Sequence, residues 1–114
     1  MQTLPLRLFE TEFSVCGGDK RLNWWQSYAS GRWEPQTLAL LYKILRPGDL
    51  YIDVGAWIGP TVLFAAARGA TVVAFEPDRT AFRELAANVA ANPSLSKRIT
   101  LHNTALLDRR GHAG

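Results

Sequence analysis

The sequence predicts an α/β fold with a parallel sheet, and three observations carry that prediction. A short apolar run, 50–54, holds Asp53 near its end and is followed by Gly55 and Gly59. A proline-started apolar stretch, 60–68, leads into a second apolar run, 71–75, which delivers Glu76. A third run, 99–103, follows a helical pattern that Asp78 opens and Asn92-Pro93 closes. Strand, glycine turn, helix, strand, acid is how a parallel sheet builds a nucleoside-binding crevice.

Taken in chain order, residues 1–34 read as irregular and rich in aromatics. A strand is expected over 8–15, with Phe9, Thr11, Phe13 and Val15 on one face. Gly17, Gly18 and Asp19 mark a turn. Trp24, Trp25, Tyr28 and Trp33 then suit two roles equally: a flap packed on the main domain, or one wall of a ligand pocket. Pro35 opens a helix whose apolar face is Leu38, Leu41, Tyr42 and Leu45. Arg46 suits the helix C-terminus, and Pro47-Gly48 ends it. The run 50–54 is nearly continuous in apolar residues, as a strand covered on both faces should be. Pro60 to Arg68 is a helix closed by Gly69, and 71–75 is the second strand. Asp78 caps the next helix, where Phe82, Leu85, Ala86 and Val89 share a face. Asp108-Arg109-Arg110-Gly111 has the composition of a turn. Crossovers of these lengths join parallel strands right-handedly, in the spatial order third, second, first.

Composition narrows the class. The 114 residues suffice for one domain. A content of 47% hydrophobic and 20% charged residues reads as globular. The net charge of +3 is too weak to argue for nucleic acid, and Lys97, Arg98, Arg109 and Arg110 read as a solvated basic surface. The single cysteine, Cys16, excludes an internal disulfide and reads as a small buried hydrophobe. No basic stretch precedes an apolar one at the N-terminus, and no apolar run reaches the ~20 residues of a membrane span. The expected location is the cytoplasm, with no membrane partner.

The glycine turn narrows the ligand. Gly55 allows a turn that a side chain obstructs, and Gly59 removes a Cβ where ligand or helix must approach. The helix from Pro60 offers N–H groups and a partial positive charge, and Glu76 can accept two hydrogen bonds from a vicinal ribose diol. A dinucleotide fingerprint requires glycine at three positions, which here hold Gly55, Trp57 and Pro60. A phosphate loop also fails, because no Gly-Lys-Ser/Thr is present. The remaining common ligand is S-adenosylmethionine, with a ribose for Glu76 and an amino-acid head for Asp53 and the loop amides.

Asp-Val-Gly-Ala-Trp-Ile-Gly-Pro-Thr at 53–61, Ala-Phe-Glu-Pro-Asp at 74–78, Asn88-Val-Ala-Ala-Asn92 and the Thr104-Ala105-Leu106 segment followed by Asp108 and Gly111 together resemble the FkbM-type methyltransferases. Trp33-Glu34-Pro35 resembles the segment leading into their first helix. The family is class I and S-adenosylmethionine-dependent, and often methylates hydroxyls of sugars or natural products. The resemblance implies a partial Rossmann-like fold. Asp53, Gly55, Ala56 and Gly59 would hold the methionine moiety, Glu76 the ribose, and Asn103, Thr104 and Ala105 would lie near the adenine. Trp57, Thr61 and Asp78 complete the expected cofactor set. Trp57 departs from the pattern, since many relatives carry asparagine there. The resemblance also divides the chain, with 1–34 as an aromatic flap and strand segment and 35–114 as the cofactor-binding half. The family's remaining strands, with much of the acceptor pocket and any catalytic base, are expected to be absent. That leaves an apolar strand edge open to a partner chain or to self-association. No catalytic base and no metal ligand set is assigned; His102 reads as structural and His112 as solvated.

Overall fold

A computed structural model describes residues 2–106. Two sheets organise them. The first is an antiparallel hairpin of β1 (Gln2–Leu8) and β2 (Thr11–Gly17), paired from Gln2↔Gly17 to Leu8↔Thr11. The second is parallel, of β3 (Leu50–Val54), β4 (Thr71–Phe75) and β5 (Ile99–His102), in the order β3-β4-β5. The order predicted from the crossovers is the one found.

The N-terminal region departs from expectation. It is a regular hairpin followed by α1 (Asp19–Ser27) and a single wide helical turn at Tyr28–Arg32. The strand expected over 8–15 is broken by a two-residue turn, Phe9-Glu10, whose φ angles of 46° and 60° are both left-handed. Such a turn matches the twist of paired strands and normally selects Asn-Gly or Asp-Gly, neither of which is present. Phe9 is instead held from outside the hairpin, 5.4 Å from the Tyr42 ring and 6.0 Å from Phe64. Thr11, Phe13 and Val15 are buried on one face as predicted, while Phe9 lies in the turn.

The main layer is more legible. α2 (Pro35–Ile44) buries Leu38 and Leu41, and Leu45 just beyond it. α3 (Pro60–Ala67) is apolar almost all round and lies against β4, so Val62 to Ala66 are wholly buried. α4 (Arg79–Ala90) is capped by Asp78, whose carboxylate accepts the Ala81 N–H at 2.8 Å. Its fully buried positions are Ala81, Leu85, Asn88 and Val89; Phe82 and Ala86 flank that stripe rather than centre it. A short α5 (Pro93–Ser96), not anticipated, follows Asn92.

Asparagines explain how the hairpin docks. Asn88 and Asn92 sit one turn apart on α4 and its end, facing β2. Asn92 accepts the Ser14 N–H and donates to the Ser14 carbonyl, both at 2.7 Å, as a neighbouring strand would. Asn88 accepts the Cys16 N–H at 2.8 Å and donates to the Ile58 carbonyl at 2.9 Å. One buried side chain therefore ties the hairpin, α4 and the glycine turn together, and each backbone group it satisfies is costly to leave unpaired.

Two further expectations are corrected. The continuous apolar run of β3 predicted cover on both faces, yet Leu50, Ile52 and Val54 are 62%, 55% and 54% exposed. Among the described residues, helices cover only the face carrying Tyr51, Asp53, Val72 and Ala74. Arg98 is partly buried rather than freely solvated, and donates to the Ala66 carbonyl at 2.6 Å. The turn expected at Asp108–Gly111, Arg109, Arg110 and His112 lie outside the described residues. No helix among the described residues is long and apolar enough to cross a membrane.

Candidate functional site

The carboxyl ends of β3 and β4 bring the predicted acids and glycines to one place. β3 carries Asp53, and the loop after it turns through Gly55 at φ 78°, Trp57 at φ 55° and Gly59 at φ 109°. Glycine meets no steric cost in this left-handed region, whereas tryptophan rarely enters it. At Gly59 a Cβ would lie 3.0 Å from Leu85 Cδ1, so the missing side chain serves the approach of α4 to the loop.

The amides of Gly55, Ala56, Trp57 and Gly59 have partners within the chain, where the sequence suggested open donors. Gly55 and Ala56 donate to the Phe75 carbonyl at 2.8 and 3.0 Å, and Gly59 donates to the Ala56 carbonyl at 3.1 Å. The Trp57 N–H donates to Glu76 Oε1 at 2.7 Å. The Asp78 N–H donates to Glu76 Oε2 at 2.8 Å. Two backbone donors from separate segments thus hold the Glu76 carboxylate in one orientation. The side chain is largely buried, at 7% exposure. Each oxygen keeps a lone pair, because a carboxylate accepts about four hydrogen bonds in all.

Asp53 is half-buried and accepts a hydrogen bond from the Thr61 hydroxyl. Burial raises its pKa above the ordinary range; the Glu76 charge adds to that, and the Thr61 hydrogen bond opposes it. A carboxylate that burial makes costly to ionise is one that a cation would relieve. Burial likewise raises the pKa of Tyr51, its neighbour on β3.

At the same carboxyl ends, on the face of Val54 and Phe75, lies a cavity of about 150 Å³, lined by Val54, Gly55, Phe75, Pro77, Thr104, Ala105 and Leu106 and by neither acid. Its walls are mostly apolar, suited to a flat heterocycle. Asn103, which precedes Thr104, donates to the Glu76 and Pro77 carbonyls at 2.8 and 3.3 Å. Asp53, Gly55, Ala56, Trp57, Gly59, Thr61 and Glu76 cluster at the turn, with Thr104 and Ala105 on the cavity. Asp78 lies at the same end, but its carboxylate caps α4. Phe75 and Pro77 were missed as cavity walls, although their positions either side of Glu76 at a strand end signalled them. A larger depression, about 500 Å³, lies between the hairpin and Asn92 and holds none of these residues.

The aromatic segment packs onto the back of the loop. Trp25 and Tyr28 are wholly buried, and the Tyr28 hydroxyl donates to the Pro60 carbonyl at 2.6 Å. Trp24 meets the Trp57 ring edge to face at 4.9 Å, and the Arg21 guanidinium lies 5.3 Å from the same ring. Arg21 is fixed in turn by a two-pronged pair with Glu84, at 2.9 and 3.1 Å. No sequence signal marks this contact, since Trp24 and Trp57 lie in unconnected segments.

Solved structures share the fold. TYW2 of P. horikoshii, in complex with MeSAdo, superposes with a TM-score of 0.59 over 98% of this chain and 38% of its own, at 19% identity. A SAM-dependent methyltransferase from Agrobacterium tumefaciens gives 0.51 over 90% of this chain and 32% of its own, at 18% identity. The chain has part of a Rossmann-like methyltransferase fold. It spans about a third of the length of these proteins. No family model and no curated protein sequence matches it.

Proposed function

We propose that the chain is the cofactor-binding part of an S-adenosylmethionine-dependent methyltransferase of the FkbM type, acting on a hydroxyl of a sugar or natural product. The observation that carries this reading is the Glu76 carboxylate, fixed by the Trp57 and Asp78 amides at the end of β4, with its neighbours Phe75 and Pro77 lining an apolar cavity. The residues fit the cofactor. The two free lone pairs of Glu76 suit a ribose diol, and the slot between Phe75, Pro77 and Ala105 suits an adenine. Asp53 suits the cationic methionine end, where binding would relieve the cost of its ionisation. Because Gly55, Ala56 and Trp57 already donate within the protein, their amides shape the loop rather than bind the amino-acid head.

When bound, S-adenosylmethionine supplies a methyl group on a cationic sulfur, open to in-line displacement by an acceptor oxygen. The protein's own task is to hold that end rigidly and to keep water from it. In this reading 1–34 is the segment that buttresses the loop, and 35–114 is the cofactor-binding half. Incubation with methyl-labelled S-adenosylmethionine and a panel of polyhydroxylated acceptors tests the chemistry. Base-stable label in an acceptor supports the reading; cofactor binding without any label transfer confines this chain to binding.

A second reading is favoured by the edge of β3 and the apolar face beside it, both uncovered among the described residues. The chain would then be a non-catalytic nucleoside-fold module that pairs with another chain. Light scattering separates the two, because a stable monomer of 12.7 kDa argues against obligate pairing.

A further inference from the structure

We infer that Trp24 and Arg21 are positioning residues, which hold Trp57 in its left-handed conformation so that its amide fixes the Glu76 carboxylate. The inference rests on the cofactor reading above for its purpose, but its geometry is independent of any ligand. Trp57 has φ 55°, where a side chain other than glycine, asparagine or aspartate is uncommon. The conformation must therefore be imposed by surroundings. Two contacts can impose it: the edge of Trp24 at 4.9 Å and the guanidinium of Arg21 at 5.3 Å from the ring. Both come from α1, and both are themselves anchored. Trp24 packs on Trp25 at 5.1 Å and is stacked on Tyr28 at 5.8 Å, and Arg21 is clamped by Glu84 on α4.

The backbone result is a single hydrogen bond, Trp57 N–H to Glu76 Oε1 at 2.7 Å. Should φ of Trp57 relax to the ordinary region, that amide turns away and Glu76 keeps only the Asp78 amide. The carboxylate is then free to rotate, and a diol would meet an acceptor no longer set in place. The tryptophan is thus a handle by which a segment more than thirty residues upstream sets the acid at the site.

The test is a cycle in which glycine at position 57 removes the need for a handle. The measured quantity is hydrogen-exchange protection of the residue-57 amide in the ligand-free chain, relative to that of Val72 in β4. Trp24→Ala is expected to lower this ratio about tenfold when Trp57 is present, the scale of the strain released. In the Trp57→Gly background the same change is expected to leave it within about twofold, because glycine adopts the conformation unaided. Arg21→Gln keeps every indole and repeats the test at smaller amplitude, about threefold, the scale of an exposed cation–π contact. Equal losses in the two backgrounds, or no loss with Trp57 present, overturn the inference. Titration of S-adenosylhomocysteine into the same variants separates it from the cofactor reading. Heat that weakens with Trp24→Ala and recovers with Trp57→Gly supports both. Exchange coupling with no heat from any variant overturns the cofactor reading and leaves the positioning intact.

Discussion

On one face of the parallel sheet, Val72 and Ala74 are wholly buried against helices; on the other, Leu50, Ile52 and Val54 are more than half exposed. The residue types are alike, and only the cover differs. The covered side is joined by specific polar ties as well as by packing. Asn88 and Asn92 link α4 to β2, Tyr28 links the aromatic segment to α3, and Arg21 links α1 to α4. The bare side carries Val54, Phe75 and His102 in register, with Phe75 and His102 stacked at 5.0 Å, and no helix over them among the described residues. An apolar run in a strand therefore reports the surroundings the strand is built for, which need not all lie within the described residues.

The sharpest way to break the comparison is at Asn88. Its replacement by alanine leaves the buried Cys16 N–H and Ile58 carbonyl without partners, an expected loss of about 3 kcal/mol in urea unfolding. A loss under about 0.5 kcal/mol, the range of a surface substitution, would mean that the hairpin does not dock as described. Next comes a matched pair across the sheet. Val72→Ala removes wholly buried methyl groups and should cost about 1–2 kcal/mol. Ile52→Thr on the bare face should cost within about 0.5 kcal/mol. If Ile52→Thr proves as damaging as Val72→Ala, that face is covered in solution, and the pairing reading gains.

Asp53 sharpens the contrast between stability and site. Its pKa is raised in the folded chain, so the folded state keeps the proton to higher pH than the unfolded state does. Stability is then highest below the ordinary aspartate range and falls as pH rises through the raised value. Asp53→Asn removes that loss. The variant should melt higher than wild type at neutral pH, with the difference shrinking as pH is lowered past the ordinary aspartate range. A variant that melts lower at neutral pH would show that Asp53 is held by favourable contacts instead.

How much was legible follows the range of the forces. The β-α-β-α-β series, its strand order and the meeting of Asp53 with Glu76 could be read because each depends on local pattern and a handed crossover. The Phe9-Glu10 turn could not, because its conformation is held by Tyr42 and Phe64, far along the chain. The same holds for Trp57, whose backbone is set by α1. The partners of the Gly55 and Ala56 amides could not be read either, because the Phe75 carbonyl that accepts both is a matter of register rather than of composition.

The central claim is that Glu76 is a ribose acceptor set in place by the loop. Calorimetric titration of S-adenosylhomocysteine into wild type and Glu76→Gln tests it most directly. Wild type should bind, and the variant should bind at least about tenfold more weakly, the worth of one charge-assisted hydrogen bond. No heat from wild type at millimolar ligand, or equal affinity in the two proteins, would contradict it.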